Sequence, residues 1–359
     1  MRNSLRVLNE RLLPHHLMFG PRHIVLGVNN FCNLRCVMCD VGTGNDETNF
    51  GANLVGAKTR SMPLELFRQI ADQVAEVYPT AKLAFAFTEP LAWAPLGQAL
   101  DYARTLGLSA SVTSNGLLLP AKAEELARSG CSELAISLDG PSAVHDEIRR
   151  RKGSYARAVE GIRILSALPG APPVSIYCTI TELNVGFLRD FLDGVSGLTL
   201  RRAGLIHNNF VTEELAALHN RSYGGMLSAT ASNTFAAAPT QIDIDTLSAE
   251  LTEIAATRYP FPVVIQPGLT TVEELRTYYR SPEQFLGRRC NDINRILMID
   301  ADGEAIPAHG RCYRFPVANV RDTSLADIWN HANLAAARRT LSQAGGLLPA
   351  CSRCCGGFN

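Results

Sequence analysis

The sequence predicts an α/β protein in which a parallel sheet, covered by helices, curls into a full or partial barrel. Short apolar runs alternate with amphipathic segments from about residue 22 to residue 230. These runs are rich in Val, Ile, Leu and Ala, as is typical of strands that are buried on both faces. Right-handed crossovers would wind such repeats into a barrel, whose site lies at the carboxyl ends of its strands.

The predicted barrel consists of six β-α repeats. Its strands are predicted at 23–28, 82–87, 108–113, 133–138, 174–180 and 198–206. Helical patterns lie between them near 63–78, 95–107, 120–129, 153–167 and 184–195. The polar groups NNFC, TEP, SNG, LDG and HNN stand at the ends of five of these strands. Because the carboxyl ends of parallel strands share one rim, we expect these groups to converge there.

Composition and charge exclude several classes of protein. The chain has 359 residues, which favours one large domain with a smaller appendage, and its 46% hydrophobic content argues against disorder. Its 34 basic and 34 acidic residues cancel, which argues against nucleic acid or an anionic membrane as a partner. No apolar run reaches the roughly 20 residues of a membrane span, and the first twenty residues make a poor signal peptide. We expect a soluble cytoplasmic protein whose ten cysteines serve metal binding rather than disulfides.

Two regions depart from the β-α repeat. Residues 40–61 are too long and too rich in Gly and Asn for an ordinary connection, and predict either a functional lid or a mobile loop. Residues 295–308 predict a hairpin that turns at Asp302-Gly303, and a helix is expected from near Ser324. The predicted units are an N-terminal extension, a barrel, a connecting segment and a small C-terminal α+β domain, at 1–21, 22–235, 236–284 and 285–359.

The stretch NNFCNLRCVMCD carries three cysteines in C-x3-C-x2-C spacing beside the first predicted strand: Cys32, Cys36 and Cys39. A zinc site or an iron–sulfur cluster normally takes four protein ligands, but only Asp40 is offered nearby. The spacing resembles that of the radical S-adenosylmethionine (SAM) superfamily. In that family three cysteines hold a [4Fe–4S] cluster, and the amino and carboxylate groups of SAM chelate the fourth iron.

The resemblance continues at the next two strand ends. FTEPLAW, at 87–93, looks like the Gly-Gly-Glu-Pro segment of the family, with Phe87-Thr88 in place of the two glycines. It implies that Glu89 receives the SAM ammonium group; the alternative is a solvated carboxylate at a strand end. TSNGLLL resembles the Thr-Asn-Gly strand end and implies Ser114 and Asn115 beneath the cosubstrate, although Asn-Gly also favours a plain turn.

The fourth strand end resembles a further family segment. ISLDGPSAVHDEIRR implies that Ser137, Asp139 and Arg149 serve the methionine carboxylate, the ribose or the substrate. The alternative is an Asp-Gly-Pro turn that leads into a capped helix. The resemblance also implies that the backbone near Met38 lies close to the adenine.

The sixth strand ends in His207, followed by Asn208 and Asn209. By the rim rule these side chains would face the substrate. His207 or Arg149 is accordingly the predicted catalytic base, whereas a structurally satisfied histidine at a strand end is the alternative.

A second cysteine set closes the chain, with Cys355 as a spare beside it: Cys290, Cys312, Cys351 and Cys354. A structural zinc ribbon is the generic interpretation. The tail nevertheless resembles the SPASM/twitch extension of radical SAM proteins, in whose twitch form four cysteines bind one auxiliary [4Fe–4S] cluster. Full SPASM domains need about three further cysteines, which the tail lacks. Cys131 and Cys178 are predicted to be small buried hydrophobes.

The resemblance implies a radical SAM enzyme. The cluster, reduced by an electron from a reductase, flavodoxin or ferredoxin, would cleave SAM to methionine and a 5′-deoxyadenosyl radical. This radical would abstract a hydrogen atom from the substrate. About twenty residues precede the first strand, too few for the separate leader-binding domain of many peptide-modifying relatives, so a small metabolite is the expected substrate. Twitch relatives point to a sugar, an aminocyclitol or a nucleoside in natural-product biosynthesis. We expect dehydrogenation with the auxiliary cluster as electron acceptor. The alternatives are epimerisation, decarboxylation, peptide or protein maturation, and a two-cluster electron-transfer protein.

Overall fold

The computed structural model describes residues 2–55, 58–308, 310–315 and 317–358. The strands of these residues are β1 His23–Leu26, β2 Lys82–Phe85, β3 Ala110–Ser114, β4 Glu133–Ser137, β5 Val174–Ile180, β6 Arg202–His207, β7 Val263–Gln266, β8 Ile296–Ile299 and β9 Ala305–Pro307. They form one sheet in the order β7-β6-β5-β4-β3-β2-β1-β8-β9. All pairs are parallel except β8 with β9. The sheet stays open between β7 and β9, which confirms the α/β class and the partial TIM-like barrel.

Helices cover the sheet and follow most of its strands. They are α1 Arg2–Leu12, α2 Asp40–Thr43, α3 Asn49–Leu54, α4 Leu64–Val77, α5 Leu96–Thr105, α6 Leu119–Arg128, α7 Ser142–Ile148, α8 Ser154–Ser166, α9 Leu188–Gly194, α10 Glu213–Tyr223, α11 Ile244–Ala256, α12 Val272–Arg280, α13 Leu325–Trp329 and α14 Ala332–Gln343. Among the described helices, none has the length and apolarity that a membrane crossing requires.

The strands alternate between a helix-covered face and the barrel interior. On β4, Leu134 and Ile136 are completely buried and belong to the main apolar core, whereas Ala135 and Ser137 are only half-buried. Successive side chains of a strand point to opposite faces, so the half-buried set lines the interior. This alternation explains how the sheet packs against helices and still leaves a partly polar interior.

All six predicted strands exist, and the five predicted helical patterns correspond to α4, α5, α6, α8 and α9. The sixth strand begins at Arg202 rather than at 198. The predicted connecting segment 236–284 contains α11, β7 and α12, and β7 pairs with β6, so this segment extends the sheet by one parallel strand. The domain boundaries stay predictions.

The predicted hairpin at 295–308 is confirmed by the antiparallel pair of β8 and β9. Gly303 turns the chain with φ 92°, a left-handed conformation that favours glycine. β8 also pairs in parallel with β1, so the C-terminal region is joined directly to the first strand of the barrel.

Residues 40–61 are buried at Asp40 and over most of residues 48–54, whereas residues 58, 59 and 61 are exposed; positions 56 and 57 lie outside the described residues. Phe50 and Leu54 of α3 are buried. Asn49 Nδ2 donates to the carbonyl oxygens of Ser228 at 2.7 Å and Cys312 at 3.0 Å. The segment therefore connects the barrel with the C-terminal region, and its role as a lid stays a prediction.

Candidate active site and auxiliary cluster site

The loop after β1 brings the three cysteines of the first motif into one small apolar cluster. Cys36 is buried, while Cys32 and Cys39 are half-buried. Their neighbours in this cluster include Met38 and Ile148, both buried. Burial raises the pKa of the Cys32 thiol and raises that of Cys36 to about 12. Iron ligation at these sulfurs therefore displaces bound protons.

Two side chains direct N–H groups at the sulfurs of this motif. Arg149 Nη1 lies 3.4 Å from Cys36 Sγ, and Asn115 Nδ2 lies 3.9 Å from Cys32 Sγ. Such donors stabilise thiolates and the sulfurs of iron–sulfur clusters. The donor set and its surroundings therefore fit a thiolate-ligated cluster.

Across the described part of the chain, no three His, Cys, Asp or Glu side chains are arranged to hold one metal ion. A single zinc ion needs its ligands within about 2.0–2.3 Å, whereas the thiolates of a four-iron cluster bind separate iron atoms and stand further apart.

Glu89 joins the ends of β2 and β3. Its carboxylate is completely buried and accepts hydrogen bonds from Leu91 N at 3.0 Å, Ser114 Oγ at 2.7 Å and Asn115 N at 2.9 Å. Burial raises the pKa of this carboxyl, and the three donors oppose the shift. The solvated alternative for Glu89 is therefore excluded, and a contact with SAM stays a prediction.

Asn115 and Glu89 also connect the cysteine loop to the ends of β2 and β3. Asn115 Nδ2 donates to Asn33 Oδ1 at 2.7 Å, within the cysteine motif. The backbone of Glu89 accepts from Asn29 Nδ2 at 3.0 Å and donates to Phe31 O at 3.1 Å. Three strand ends are thus tied together directly beneath the cysteines.

The position of the first family glycine has an unusual backbone here. Phe87 adopts φ 78°, a conformation that favours glycine and that bulky residues rarely take. Its ring packs edge-on against Phe50, with centroids 5.9 Å apart. Phe87 therefore keeps the backbone conformation that a glycine would adopt without strain, and its ring packs against Phe50.

Asp139 and Arg149 form a buried ion pair beside Cys36. Asp139 Oδ2 accepts from Arg149 Nε, and Asp139 Oδ1 accepts from Thr179 N at 2.8 Å. Burial alone would lower the pKa of Arg149, but the charges of Asp139 and Cys36 raise it. A guanidinium held in its protonated form cannot accept a proton, which corrects the prediction of Arg149 as a base. Ser137, at the end of β4, is half-buried and faces the interior.

His207 faces away from the barrel interior. It pairs in register with Ile180, and both are completely buried on the helix-covered side. Its ring nitrogens contact Tyr279 Oη at 2.8 Å and Leu269 O at 3.0 Å, and burial lowers its pKa to about 4. The structure therefore supports the alternative of a satisfied strand-end histidine and corrects the prediction of His207 as a base.

The four predicted auxiliary cysteines line one cavity: Cys290, Cys312, Cys351 and Cys354. Cys355 is not among the residues that line this cavity; its sulfur accepts from Asn209 Nδ2 at 3.6 Å, and its N–H donates to Asn209 Oδ1 at 3.3 Å. This geometry favours Cys354 over Cys355 as the last ligand. Cys131 and Cys178 are buried, as predicted.

A hydrogen-bonded bridge that the sequence did not indicate connects the two cysteine sites. Asp40, directly after Cys39, is buried and accepts from Asn233 N at 2.9 Å and Ser232 Oγ at 2.7 Å. Asn233 Nδ2 donates to Asn209 O at 2.8 Å, and Asn209 lines the auxiliary cavity. Both carboxylate oxygens of Asp40 thus accept hydrogen bonds from other residues of the protein, so this side chain is not a free fourth metal ligand.

Arg353 is a second residue that sequence reasoning missed. It lies between Cys351 and Cys354, is almost completely buried and donates to five backbone carbonyls, those of Thr277, Tyr278, Ser281, Gln284 and Ser352. Four of these carbonyls lie in or just after the C-terminal turn of α12. The only local signal was an arginine inside a C-x2-C pair, and four of its five partners are over 60 residues away along the chain.

Comparisons with known proteins agree with this geometry. The family model of the radical SAM superfamily matches residues 26–183, and that of the SPASM iron-sulfur cluster-binding domain matches residues 290–355. An AdoMet-dependent heme synthase from Oleidesulfovibrio alaskensis is 29% identical over 174 residues, which cover 47% of this chain and 41% of the relative. The mycofactocin maturase MftC of Mycobacterium ulcerans is 31% identical over 176 residues, which cover 47% and 43%. The chain thus spans about two fifths of the length of these relatives.

Among solved structures, SuiB of Streptococcus suis bound to S-adenosylmethionine aligns with a TM-score of 0.63 at 15% identity, over 95% of this chain and 72% of that one. SuiB bound to its precursor peptide SuiA aligns with a TM-score of 0.62 at 16% identity, over 99% and 75%. At this identity the likeness concerns the fold. The two family matches together span more than half of the chain and fall on its two cysteine sets. The cofactors that these two domains imply are a [4Fe–4S] cluster, SAM and auxiliary iron–sulfur clusters. The chain therefore belongs to the radical SAM superfamily and carries a C-terminal SPASM domain.

Proposed function

We propose that this radical SAM enzyme removes a hydrogen atom from a polar substrate held in the interior of its open barrel. The observation that carries the proposal is the convergence of three thiols with two sulfur-directed donors, Arg149 and Asn115, at the carboxyl rim of the sheet. A bare electron-transfer protein would not need a partly polar interior beside its cluster.

The cysteines of the first motif would hold the cluster, and the C-terminal four would hold the auxiliary one. When bound, the reduced cluster would supply the electron that cleaves SAM, and so the means of removing a hydrogen atom from the substrate. The protein's contribution is to orient the reactants and to exclude water. Glu89 fixes the relative positions of three strand ends, and the Asp139–Arg149 pair places a positive charge beside Cys36.

The interior face offers hydroxyl groups to a substrate. Ser137 and Tyr177 are neighbours in the register of β4 and β5, and Thr179 follows Tyr177 on the same face. Thr113, on the central strand β3, is exposed, which indicates open space on that side of the sheet. Uncharged hydroxyl groups suit a substrate with hydroxyl or amide groups.

The substrate class divides into two candidates. The expectation of a carbohydrate-like metabolite receives no support from the comparisons, because the relatives described above are a heme synthase and a maturase. Peptide maturation is the second candidate. It is supported by the 31% identity to the mycofactocin maturase and by the likeness in fold to SuiB, which was solved bound to its precursor peptide SuiA. Dehydrogenation, with a flavodoxin, ferredoxin or reductase as electron donor, stays a prediction, as does a role in natural-product biosynthesis.

The cluster assignment is tested by replacing the three cysteines of the first motif by Ala in the full chain. Reconstituted protein with dithionite and SAM should form 5′-deoxyadenosine, and the triple variant should form none while it keeps its auxiliary iron. Cys131→Ala is the matched control, since this buried cysteine is remote from both sets, and it should leave SAM cleavage intact. Residual 5′-deoxyadenosine from the triple variant would contradict the assignment.

The substrate class is tested by isotope transfer. Deuterated sugars and nucleosides are compared with deuterated peptides encoded beside the gene, and deuterium in 5′-deoxyadenosine is measured by mass spectrometry. Transfer from one class identifies it. Abundant 5′-deoxyadenosine without deuterium from any member would reject both candidates.

A further inference from the structure

Tyr313 contacts a predicted ligand of the auxiliary cluster through its hydroxyl group. The side chain is buried, lines the same cavity as the four cysteines, and its Oη lies 3.1 Å from Cys351 Sγ. A metal-bound thiolate has no proton to give, so in the loaded protein the phenol hydroxyl must be the donor of this hydrogen bond.

The Tyr313 ring, and with it the hydroxyl group, is held in place by His219. The Tyr313 ring stacks on His219, with centroids 5.4 Å apart and an interplanar angle of 21°. His219 is held in turn, because its Nε2 lies 2.6 Å from Leu227 O and its Nδ1 accepts from Ala350 N at 3.4 Å. Ala350 directly precedes Cys351, so tyrosine, histidine and the cysteine turn form one closed unit.

We propose that Tyr313 is a positioning residue that donates a hydrogen bond to the Cys351 thiolate and thereby raises the reduction potential of the auxiliary cluster. Hydrogen bonds to cluster sulfurs are among the factors that set this potential. Reduction adds negative charge to the cluster, and a donor to one of its sulfurs stabilises the more negative state. The inference rests on the proposed assignment of Cys351 as an auxiliary ligand. Its functional consequence is an auxiliary site that is more readily reduced.

The decisive variant is Tyr313→Phe, which removes one oxygen atom and keeps the ring. It is made in full-length protein whose first-motif cysteines are replaced by Ala, so that only the auxiliary cluster is observed. The midpoint potential, followed by EPR during a redox titration, should shift to a more negative value. The coupling of an exchangeable proton to the cluster, seen by comparing H2O and D2O, should disappear.

Tyr223→Phe is the matched control. The Tyr223 ring also packs against His219, at 5.4 Å, and belongs to the same apolar cluster, so its hydroxyl loss perturbs the same surroundings. It should leave the potential and the proton coupling unchanged. Equal potentials and equal proton coupling for wild type and Tyr313→Phe would overturn the proposal.

Two further measurements separate the possible failures. If Tyr313→Phe does not retain iron, 3-fluorotyrosine at position 313 keeps the ring and makes the hydroxyl a stronger donor, and the potential should become more positive. No shift in that protein would overturn the proposal. A complete auxiliary cluster in Cys351→Ala would instead refute the ligand assignment on which the inference rests.

Discussion

Replacing Glu89 by Gln tests whether this carboxylate organises the cysteine loop. The substitution keeps the size of the side chain, removes its charge and turns one acceptor oxygen into an NH2 donor. All three recorded partners of the carboxylate donate hydrogen bonds: Leu91 N, Ser114 Oγ and Asn115 N. An amide at this position must therefore place its own donor against at least one of them.

The cost follows from the better of the two amide orientations. If the remaining oxygen takes the place of Oε1, it keeps the contacts with Leu91 and Ser114 and loses the one with Asn115 N. A buried hydrogen bond to a charged group is worth about 1.5–3 kcal/mol, and the orphaned N–H adds a desolvation cost of similar size. We expect the free energy of unfolding to fall by about 2.5–6 kcal/mol. Asn115 also contacts Asn33 and Cys32, so the loosened strand end should weaken SAM binding as well.

The assay combines urea unfolding of the apo protein with a SAM dissociation constant for the reconstituted protein. Glu125→Gln is the control, because Glu125 accepts from Gly97 N at 2.9 Å on a half-buried outer surface, far along the chain from the cysteines. It should cost less than Glu89→Gln and leave SAM affinity unchanged. An unfolding free energy within about 0.5 kcal/mol of wild type for Glu89→Gln would refute the reasoning.

Three further outcomes are expected. Burial lowers the pKa of His207 from about 6.5 to about 4, so its contribution to the free energy of unfolding should fall as pH drops through this window, by up to about 3 kcal/mol. In urea titrations His207→Gln should remove this contribution, while that of His145, whose pKa is also lowered to about 4, should remain. Arg149→Gln leaves a buried carboxylate unpaired and should cost about 3–5 kcal/mol, whereas Arg104→Gln, in an exposed pair, should cost about 0–1; equal costs in denaturant unfolding would contradict the buried ion pair. Cys354→Ser should lose auxiliary iron and Cys355→Ser should keep it, as measured by iron content and Mössbauer spectra; the reverse would exchange their roles.

Sequence reasoning was accurate where the signal is local. The strand predicted at 174–180 is β5, Val174–Ile180, because a strand buried on both faces is a continuous apolar run with recognisable ends. The cysteine motif spans only eight residues, so its spacing alone brings the thiols together. The hairpin at Asp302-Gly303 likewise follows from a turn that the two residues themselves favour.

His207 illustrates where this reasoning stops. The rim rule located it at the end of a strand, but the direction of a side chain alternates at every residue. The register with β5 places Ile206 on the interior face and His207 on the helix-covered face. A histidine one position earlier would face the barrel interior and the substrate, whereas His207 is a buried structural histidine.

By itself the sequence determined the β-α order, the cysteine spacings and the family resemblance, because each is written in residues close together along the chain. Only the tertiary structure decided which distant groups surround the sulfurs. Arg149 reaches Cys36 across 113 positions, and Asp40 reaches Asn233 across 193. It also decided that β8 joins β1, so that the C-terminal region closes onto the barrel. These contacts depend on how strands and helices pack, and packing brings together residues whose separation along the chain carries no local pattern.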